Sequence, residues 1–355
     1  MVRRFCLAAL LSVCTALVAC GDAASSEDDD SEVEGTSEEA LSGDQGLDYG
    51  VEDATDLGAT EPPASAFSPH DPHSDDDGDE GDELAPANVA PLNHKIGKPI
   101  GGPAMTPHGG SVMPTATVYF IYYGDWSKNR RTIALHASFM RGLAANAWNR
   151  DWLGATRFYA DPAKERAGKH VAYGTSIVVG APRGPTLTND DVGKVVYDLV
   201  SQKRLPLDPN GIYFVMTGKN VAQELEKNDC GWHTEGAMTI GAATQTIRYA
   251  WVADTRRARC SIYPKGARTP NSDYIADSQA TVIAHELAET LTDPNLDGFY
   301  QGNYHEIGDK CAWYFEHVVS MKGGAQANIR DRRSGRNWLV QDLFENHACT
   351  LGAAR

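Results

Sequence analysis

A histidine and two glutamates at fixed spacing are the first residues in this sequence that could do chemistry. The stretch HELAETLTDP, residues 285–294, contains His285, Glu286 and Glu289 in the pattern H-E-x-x-E. The related pattern H-E-x-x-H binds zinc through two residues one helical turn apart, and its glutamate acts as the general base. By the same chemistry, His285 and Glu289 are candidate metal ligands, and Glu286 is the candidate catalytic base.

The third ligand of such a site is expected a short distance downstream, because a catalytic zinc ion takes three protein ligands and a water. The stretch YHEIGDKCAW, residues 304–313, offers Glu306 and Asp309 for this role. The sequence therefore predicts a metal site, with Zn²⁺ as the expected ion. Two carboxylates and one imidazole would also suit a harder ion such as manganese or calcium. The alternative is an ordinary ion pair between His285 and Glu289 on the solvated face of a helix.

A further histidine, His233, lies in the stretch NDCGWHTEG, close to Cys230. It could be an extra metal ligand or a substrate contact, but we expect it to pack beside a disulfide. The sequence contains no G-x-S-x-G and no P-loop pattern. Serine hydrolase and nucleotide hydrolase functions therefore have no support.

The residues around the motif predict the helix that must carry it, over residues 277–291. Asp277 is the expected N-cap, and Pro294 ends the element. Two residues at i and i+4 project from the same side of a helix, so both candidate ligands face one way, while the candidate base is turned by about 100°. One apolar face of the helix is formed by Ala280, Ile283, Ala284, Leu287 and Leu291.

Other segments predict the elements on which this helix packs. Strands are expected where β-branched and aromatic residues are bounded by Gly, Asn or Asp, at residues 115–124, 175–180, 210–218 and 247–254. Helical periodicity covers residues 130–148 and 188–204, the second beginning at Thr188 or Asn189. This alternation predicts an α/β fold with a mixed or largely parallel sheet and flanking helices.

The N-terminus predicts export. Residues 1–19 have the basic start and the apolar run of a signal peptide, and the run is shorter than the roughly 20 residues needed to span a bilayer. The sequence LVACG, residues 17–21, is similar to a bacterial lipobox, which predicts cleavage before Cys20 and lipidation of that cysteine. The expected location is the bacterial cell envelope, with the membrane as a partner through the lipid. An ordinary secretory signal is the alternative, and the protein would then be secreted.

Residues 20–90 predict an acidic, disordered tether. Positions 21–90 contain 23 Asp and Glu residues and no Lys or Arg, so they have little apolar surface to offset the entropy of folding. Residues 91–355, with 30 basic and 25 acidic residues, are long enough for one domain with its own core. They contain no dense basic stripe, and nothing favours nucleic acid as a partner.

Four cysteines remain in residues 91–355, and an even number in an exported protein predicts two disulfides. Three pairings are possible. We favour Cys230 with Cys260 and Cys311 with Cys349, because each pair joins neighbours in the chain. The absence of any C-x-x-C pattern disfavours a cysteine-based zinc site.

The motif region resembles the thermolysin-like (gluzincin) active site, in which H-E-x-x-H is followed by a helix with a glutamate ligand. Carried over by position, this resemblance implies a zincin-like active-site helix with His285 and Glu289 as ligands and Glu286 as base. It further implies Glu306 as third ligand and Asp309 as the residue that orients the histidine. The last acid comes one residue early, as E-x-x-D, which leaves open whether Glu306 or Asp309 is the third ligand.

Several stretches across residues 100–352 are similar to the exordium / phosphate-induced protein family, among them GGPAM, TVYFIYYGDW, CGWHTEG, RYAWVAD, LTDPNLDGFYQGNYHE and HACTLG. Its best-known members are secreted plant cell-wall proteins associated with growth signalling, without H-E-x-x-E at the equivalent helix. The resemblance implies an exported, disulfide-bonded α/β domain. Two functions are compatible with it: a lipid-anchored, zinc-dependent metallopeptidase with a peptide or cell-wall substrate, or a non-catalytic cell-envelope, adhesion or signalling module.

Overall fold

A computed structural model describes residues 102–225, 229–257, 260–264, 266–302 and 305–355, together with two short strands at residues 51–54 and 67–69. The predicted signal peptide, Cys20 and the rest of the predicted tether lie outside the described residues. Among the helices that are described, none has the length and apolar character needed to cross a membrane.

The secondary structure consists of three α-helices and a series of mostly short strands within the described residues. The helices are α1 Arg130–Ala144, α2 Asn189–Ser201 and α3 Tyr274–Thr292. The strands are β1 Val51–Ala54, β2 Phe67–Pro69, β3 Thr106–Pro107, β4 Thr115–Tyr123, β5 His170–Val179, β6 Thr186–Leu187, β7 Gly211–Thr217, β8 Ala222–Gln223, β9 Gly231–Ile240, β10 Ala243–Val252, β11 Phe299–Tyr300, β12 Val319–Ser320, β13 Gln326–Ala327, β14 Ile329–Arg330, β15 Asn337–Trp338, β16 Leu343–Glu345 and β17 Ala348–Thr350. Short 3-10 turns cover Trp152–Gly154, Thr156–Phe158 and Asp309–Cys311.

The central sheet is mixed, with seven strands in the order β1-β5-β4-β7-β10-β9-β2. The pairs from β1 to β10 are parallel, whereas β9 is antiparallel to both β10 and β2. The four strands expected from the sequence correspond to β4, β5, β7 and β10, which confirms a mixed α/β fold. Strand β9 was not among the expected strands, and it forms a hairpin with β10 through a turn at Gly241, where φ is +63°.

The helices cover both faces of this sheet. In β4, Phe120 and Tyr122 pack in a cluster with α1 and α3, whereas Tyr119 and Ile121 pack on the opposite face with α2. This alternation follows from the two-residue period of a strand. A central strand that is buried on both faces is typical of parallel sheets covered by helices. Helix α3, which carries the H-E-x-x-E motif, therefore packs on the same face of the sheet as α1.

Helix α3 begins earlier than the sequence prediction. The Asp273 carboxylate, and not that of Asp277, caps the helix by accepting a 3.0 Å hydrogen bond from the Ala276 backbone N–H. Asp277 lies buried in the first turn, where it accepts hydrogen bonds from the backbone and side chain of Asn271 at 2.8 and 2.6 Å. The helix ends at Thr292, as expected from the proline two residues later.

The other two helices end before the bounds predicted from their periodicity. Helix α2 starts with a capping box, in which Thr188 and Asp191 each accept from the other's backbone N–H. Helix α1 ends at Ala144, and Asn146 follows in the left-handed region with φ of +55°. Such a residue cannot continue a right-handed helix.

Two segments of the predicted tether form the outer strands of the sheet. Strand β1 pairs in parallel with residues 176–179 of β5, and β2 pairs antiparallel with residues 236–238 of β9. The structure differs from the expectation of a disordered tether at these two segments. The reason is that a sheet edge presents unpaired backbone groups, which a short segment can pair regardless of the average composition of its surroundings.

Candidate metal centre

Helix α3 carries His285, Glu286 and Glu289 in a buried setting. Glu286 and Glu289 are each 3% exposed, and the His285 side chain is 16% exposed. Most of the helix is buried around its whole circumference, since it is covered by the sheet, by α1 and by a C-terminal segment, in which the Gln341 backbone N–H donates to Thr281 Oγ1 at 3.0 Å. The alternative of an ion pair on a solvated helix face therefore does not fit this structure.

His285 lies in a first group of three potential ligands, with Glu289 and Asp309. Its Nε2 atom is 3.0 Å from Glu289 Oε1 and 3.3 Å from Asp309 Oδ1. One ligand atom from each of the three residues lies within 4.8 Å of the other two. Asp309 thus faces the same imidazole nitrogen as Glu289. An orienting partner faces the ring nitrogen opposite to the ligands, so this geometry makes Asp309 a candidate ligand beside Glu289.

The turn before Asp309 approaches α3 so closely that only glycine fits there. A Cβ atom on Gly308 would lie 2.7 Å from Glu289 Oε1 and 3.0 Å from the His285 ring. Because the turn lies this close, Glu289 Oε1 accepts hydrogen bonds from the backbone N–H groups of Gly308 at 3.2 Å and Asp309 at 3.1 Å. These two bonds fix one oxygen of Glu289 toward His285.

A second group of three potential ligands consists of His233, Glu289 and Glu306. Strand β9 holds His233, whose Nε2 atom is 2.8 Å from Glu306 Oε2 and 4.0 Å from Glu289 Oε2. One ligand atom from each again lies within 4.8 Å of the others. The structure therefore brings all the residues predicted from sequence together, but it groups Glu306 with His233 and not with His285. The backbone N–H of Glu306 donates to Asp309 Oδ2 at 3.0 Å, which links the two groups.

Glu286 faces a small cavity next to the first group. The cavity has a volume of about 120 Å³, and His285, Glu286, Asp309, Gly231 and Trp313 contribute to its lining. A Cβ atom on Gly231 would lie 2.6 Å from Glu286 Oε1, so this glycine lets β9 begin directly against the carboxylate. A cavity of this size has room for water and for a small polar group of a larger molecule.

Burial and mutual repulsion make three of the four acidic residues of the site, Glu286, Glu289 and Glu306, weak acids. Burial is the main reason that the pKa of Glu286 and the pKa of Glu306 lie well above their usual range, and the charge of Glu289 raises both further. The pKa of Glu289 is itself raised by burial and then by Asp309. Among the ion pairs of the described residues, none joins a Lys or Arg to these four carboxylates.

The pKa values of the two histidines of the site, His285 and His233, shift in opposite directions. Burial lowers the pKa of His285, but the Glu289 and Asp309 carboxylates outweigh it and hold that pKa well above the usual value. Burial dominates at His233 and lowers its pKa. Burial raises the pKa of Asp309, but the hydrogen bond from His285 outweighs it and leaves that pKa below normal. The centre is thus a buried, acid-rich cluster that contains two histidines with opposite pKa shifts.

Comparison with known proteins places this architecture in a family. The family model described as "Phosphate-induced protein 1 conserved region" matches residues 105–347, which include every residue of the two ligand groups. The chain belongs to the exordium/phosphate-induced protein 1 family. This confirms the family resemblance found in the sequence.

Three plant proteins are among the relatives to which the chain is similar. Protein EXORDIUM-like 3 of Arabidopsis thaliana is 26% identical over 280 residues, covering 67% of this chain and 80% of that protein. Protein EXORDIUM-like 5 of the same plant is 25% identical over 280 residues, covering 67% of this chain and 74% of that protein. Protein PHOSPHATE-INDUCED 1 of Nicotiana tabacum is 24% identical over 270 residues, covering 66% and 82%. No solved structure shows a significant match to the chain.

Two disulfides flank the centre of this exordium family member. They join Cys230 to Cys260 and Cys311 to Cys349, which confirms the pairing expected from the sequence. The first lies immediately before Gly231 in β9, and the second anchors the 3-10 turn that begins at Asp309. Structural disulfides are typical of proteins that fold in an oxidising compartment, which indicates that the domain is extracellular or secreted.

Proposed function

We propose that this protein is an exported module of the cell envelope that holds a divalent metal ion between α3 and the turn at Asp309. The observation that supports this most directly is the first ligand group, in which three potential ligand atoms from His285, Glu289 and Asp309 converge within 4.8 Å. Imidazole nitrogen and carboxylate oxygen are the donors that Zn²⁺ accepts, and a set rich in carboxylates also suits Mn²⁺.

The burial of the cluster gives a physical reason for the ion. A buried carboxylate without a cation is costly, and in its absence the group becomes protonated. The pKa of Glu286 and that of Glu306 are raised as this argument requires. A divalent ion would stabilise the ionised form of the carboxylates at neutral pH and would use the oxygen atoms that α3 and the Gly308 turn already direct toward one point.

Metal analysis tests this proposal. We expect the full exported chain, purified without added metal and then dialysed against Zn²⁺ or Mn²⁺, to retain bound metal. His285→Ala removes an imidazole ligand and should retain less, whereas His170→Ala, at an exposed histidine at the start of β5, should behave like the wild type. A wild-type protein that retains neither ion would refute the proposal.

Hydrolysis is a second candidate function, and the position of Glu286 favours it. Its carboxylate lines the 120 Å³ cavity next to His285 and Asp309. In that position Glu286 would take the proton from a water molecule in the cavity, which is the role of the glutamate in H-E-x-x-H enzymes. A bound metal ion would supply Lewis acidity to polarise a carbonyl group. A peptide or a cell-wall polymer is the proposed substrate class.

The family relationship bears on the choice between these functions. The plant relatives are named as exordium-like and phosphate-induced proteins, and these names describe no enzymatic activity. A non-catalytic, metal-holding module is therefore the first proposal, and peptidase-like hydrolysis is an additional one. A lipid on Cys20, as the sequence indicates, would attach the protein to a membrane whether or not it is an enzyme. Mass spectrometry of the mature N-terminus tests for that lipid.

Glu286→Gln separates the two functions. The glutamine keeps the size of the side chain and leaves the ligand groups intact, so metal should stay bound. If Glu286 is the base, turnover of a mixed peptide library should fall by roughly 10²–10⁴-fold. Asp229→Asn changes another acidic residue of the cavity lining and serves as the matched control. A wild-type protein that binds metal but cuts no peptide in the library would support the non-catalytic module, and equal turnover in wild type and Glu286→Gln would show that Glu286 is not the base.

A further inference from the structure

Glu289 belongs to both ligand groups and offers a different oxygen to each. Its Oε1 atom faces His285 at 3.0 Å and its Oε2 atom faces His233 at 4.0 Å. The first group is completed by Asp309 and the second by Glu306, so each has one imidazole and two carboxylates. A carboxylate with one oxygen in each of two three-ligand groups has the geometry of a bridging ligand.

The second group has polar atoms that the protein leaves without a partner. Glu306 Oε1 and His233 Nδ1 are buried and form no hydrogen bond within the part of the chain that the structure describes. His233 is 5% exposed and Glu306 is 8% exposed, so bulk water does not satisfy these atoms. Buried polar atoms are normally hydrogen-bonded, and such exceptions point to an unseen ion or water. The ion pair of His233 Nε2 with Glu306 Oε2 leaves Glu306 Oε1 without a partner among the described residues, and this oxygen supports an ion in the second group. His233 Nδ1 lies on the other side of the ring and adds nothing to this argument.

Charge balance also favours two cations over one. Glu286, Glu289, Glu306 and Asp309 would together carry four negative charges when ionised. One divalent ion would leave two of these charges uncompensated in a buried site. Within the described residues, no ion pair joins a Lys or Arg to any of the four carboxylates. Two divalent ions would balance these four charges, and uncompensated buried charge is what the fold must avoid. They would not balance the nearby buried carboxylate of Asp293, which accepts a 2.6 Å hydrogen bond from the Gly298 backbone N–H.

We propose that the centre is a two-metal site in which Glu289 bridges a first ion held by His285 and Asp309 and a second ion held by His233 and Glu306. This inference rests on the proposed metal-binding function and adds a second ion to it. Two-metal sites hold their ions roughly 3.5–4 Å apart and can clamp both oxygens of a carboxylate or phosphate group. The cavity is lined by His285 and Asp309 of the first group, so a ligand in it would meet the first ion. The ligand class of the cavity is therefore a small oxyanion or the carboxylate or phosphate end of a larger molecule.

Metal stoichiometry and electron paramagnetic resonance test the proposal on the full exported chain. We expect two Mn²⁺ or two Zn²⁺ ions per wild-type molecule, and the Mn²⁺ form should show the spectrum of an exchange-coupled pair. His233→Ala and the isosteric Glu306→Gln should each bind one ion and lose the coupled spectrum, as should His285→Ala. His170→Ala should bind two. Thermal unfolding of every variant in EDTA shows whether the apoprotein is folded.

The outcomes distinguish this inference from the proposal on which it rests. One ion in the wild type, retained in His233→Ala, would overturn the second site and leave the single-metal function intact. Two ions without exchange coupling would overturn the bridge through Glu289. No ion in the wild type would overturn the inference and the proposed function together. If His233→Ala fails to fold, the isosteric Glu306→Gln decides the second site by itself.

Discussion

At the scale of single residues, Glu289 explains why the motif departs from H-E-x-x-H. A histidine at this position would offer one nitrogen to the site, whereas the carboxylate offers two oxygens that face two different imidazoles. The backbone N–H groups of Gly308 and Asp309 fix its Oε1 atom, which leaves Oε2 directed toward His233. The glutamate is therefore the residue type that can connect the two histidines.

Another histidine, His136, makes the stability of the fold depend on pH. It is fully buried on α1, where its Nδ1 atom lies 3.2 Å from the Tyr122 hydroxyl. Burial lowers its pKa to about 4, with a small opposing effect from Asp273. The unfolded chain, with a histidine pKa near 6.5, binds more protons below that pH, so stability is complete above pH 6.5 and falls as the pH approaches 4. Between pH 7.5 and pH 5, urea unfolding should show a loss of about 2 kcal/mol from this group.

The matched variant for this prediction is His136→Gln, which cannot titrate but can still bond the Tyr122 hydroxyl. We expect the stability of His136→Gln to fall less between pH 7.5 and pH 5 than that of the wild type, by about the same 2 kcal/mol. His170→Gln, at an exposed position of β5, should keep the wild-type pH dependence. Equal pH dependence in wild type and His136→Gln would show that His136 is not the residue responsible.

At the scale of elements, the sequence predicted those with strong periodicity and missed the one that holds His233. Strand β9 contains Gly231 and Gly236, and Gly241 follows at the turn, so its alternation is weak and β-propensity alone does not indicate a strand. Its position next to β10 depends on pairing across the sheet, which no local pattern encodes. The tryptophan and threonine on either side of His233, with Thr239 and Ile240 at the end of the strand, were its local signals, and Gly236 separates them.

The start of α3 and the grouping of its ligands show the same limit. Asp273 and Asp277 are both acceptable N-caps by residue type, and the choice between them follows from the hydrogen bonds of Asn271 to Asp277. The sequence predicted that Glu306 and Asp309 lie near α3, which the structure bears out in position. Asp309 faces His285 because Gly308 approaches α3 closely, and Glu306 faces His233 because β9 lies beside it. The spacing of the motif encodes neither the approach of Gly308 nor the position of β9.

The Cys311–Cys349 disulfide connects the first ligand group to the end of the chain. It joins the turn at Asp309–Cys311 to β17 and closes a segment with a sequence separation of 38 residues. Replacing both cysteines by serine should lower the free energy of unfolding by about 4 kcal/mol on the chain-entropy argument. Because Asp309 then loses its anchor, metal affinity should fall as well. Urea unfolding and equilibrium dialysis of the double variant measure the two effects.

The Cys230–Cys260 pair provides the control, since its sequence separation of 30 is similar. Its removal should lower stability by about the same amount, because loop entropy changes slowly with length. It should affect the His285–Asp309 group less, because it anchors the start of β9 and not the Asp309 turn. If removing Cys311–Cys349 lowers stability but leaves metal affinity unchanged, the disulfide does not position Asp309.

At the scale of the whole molecule, the candidate metal centre lies on one face of the central sheet, and the other face forms a separate core. The face toward α1 and α3 contains the ligand groups, whereas the face toward α2 is mainly an apolar cluster around Tyr213 and Trp251, with the buried Arg183–Asp198 ion pair beside it. Both outer strands come from the acidic N-terminal region, and β2 pairs directly with the strand that holds His233. The N-terminal region therefore contributes to the sheet on which the site is built.

Truncation of the N-terminal region tests this contribution. A chain without residues 1–70 loses β1 and β2, so the amides of residues 176–179 and 236–238 that face those strands should exchange hydrogen faster. Uncovered sheet edges also promote pairing between molecules, so light scattering should show more self-association. A chain without residues 1–47 keeps both strands and should exchange like the full chain at these positions. Identical exchange in the two truncated chains would mean that β1 and β2 do not pair with the sheet in solution, and the acidic region would then be a tether throughout, as its composition indicates.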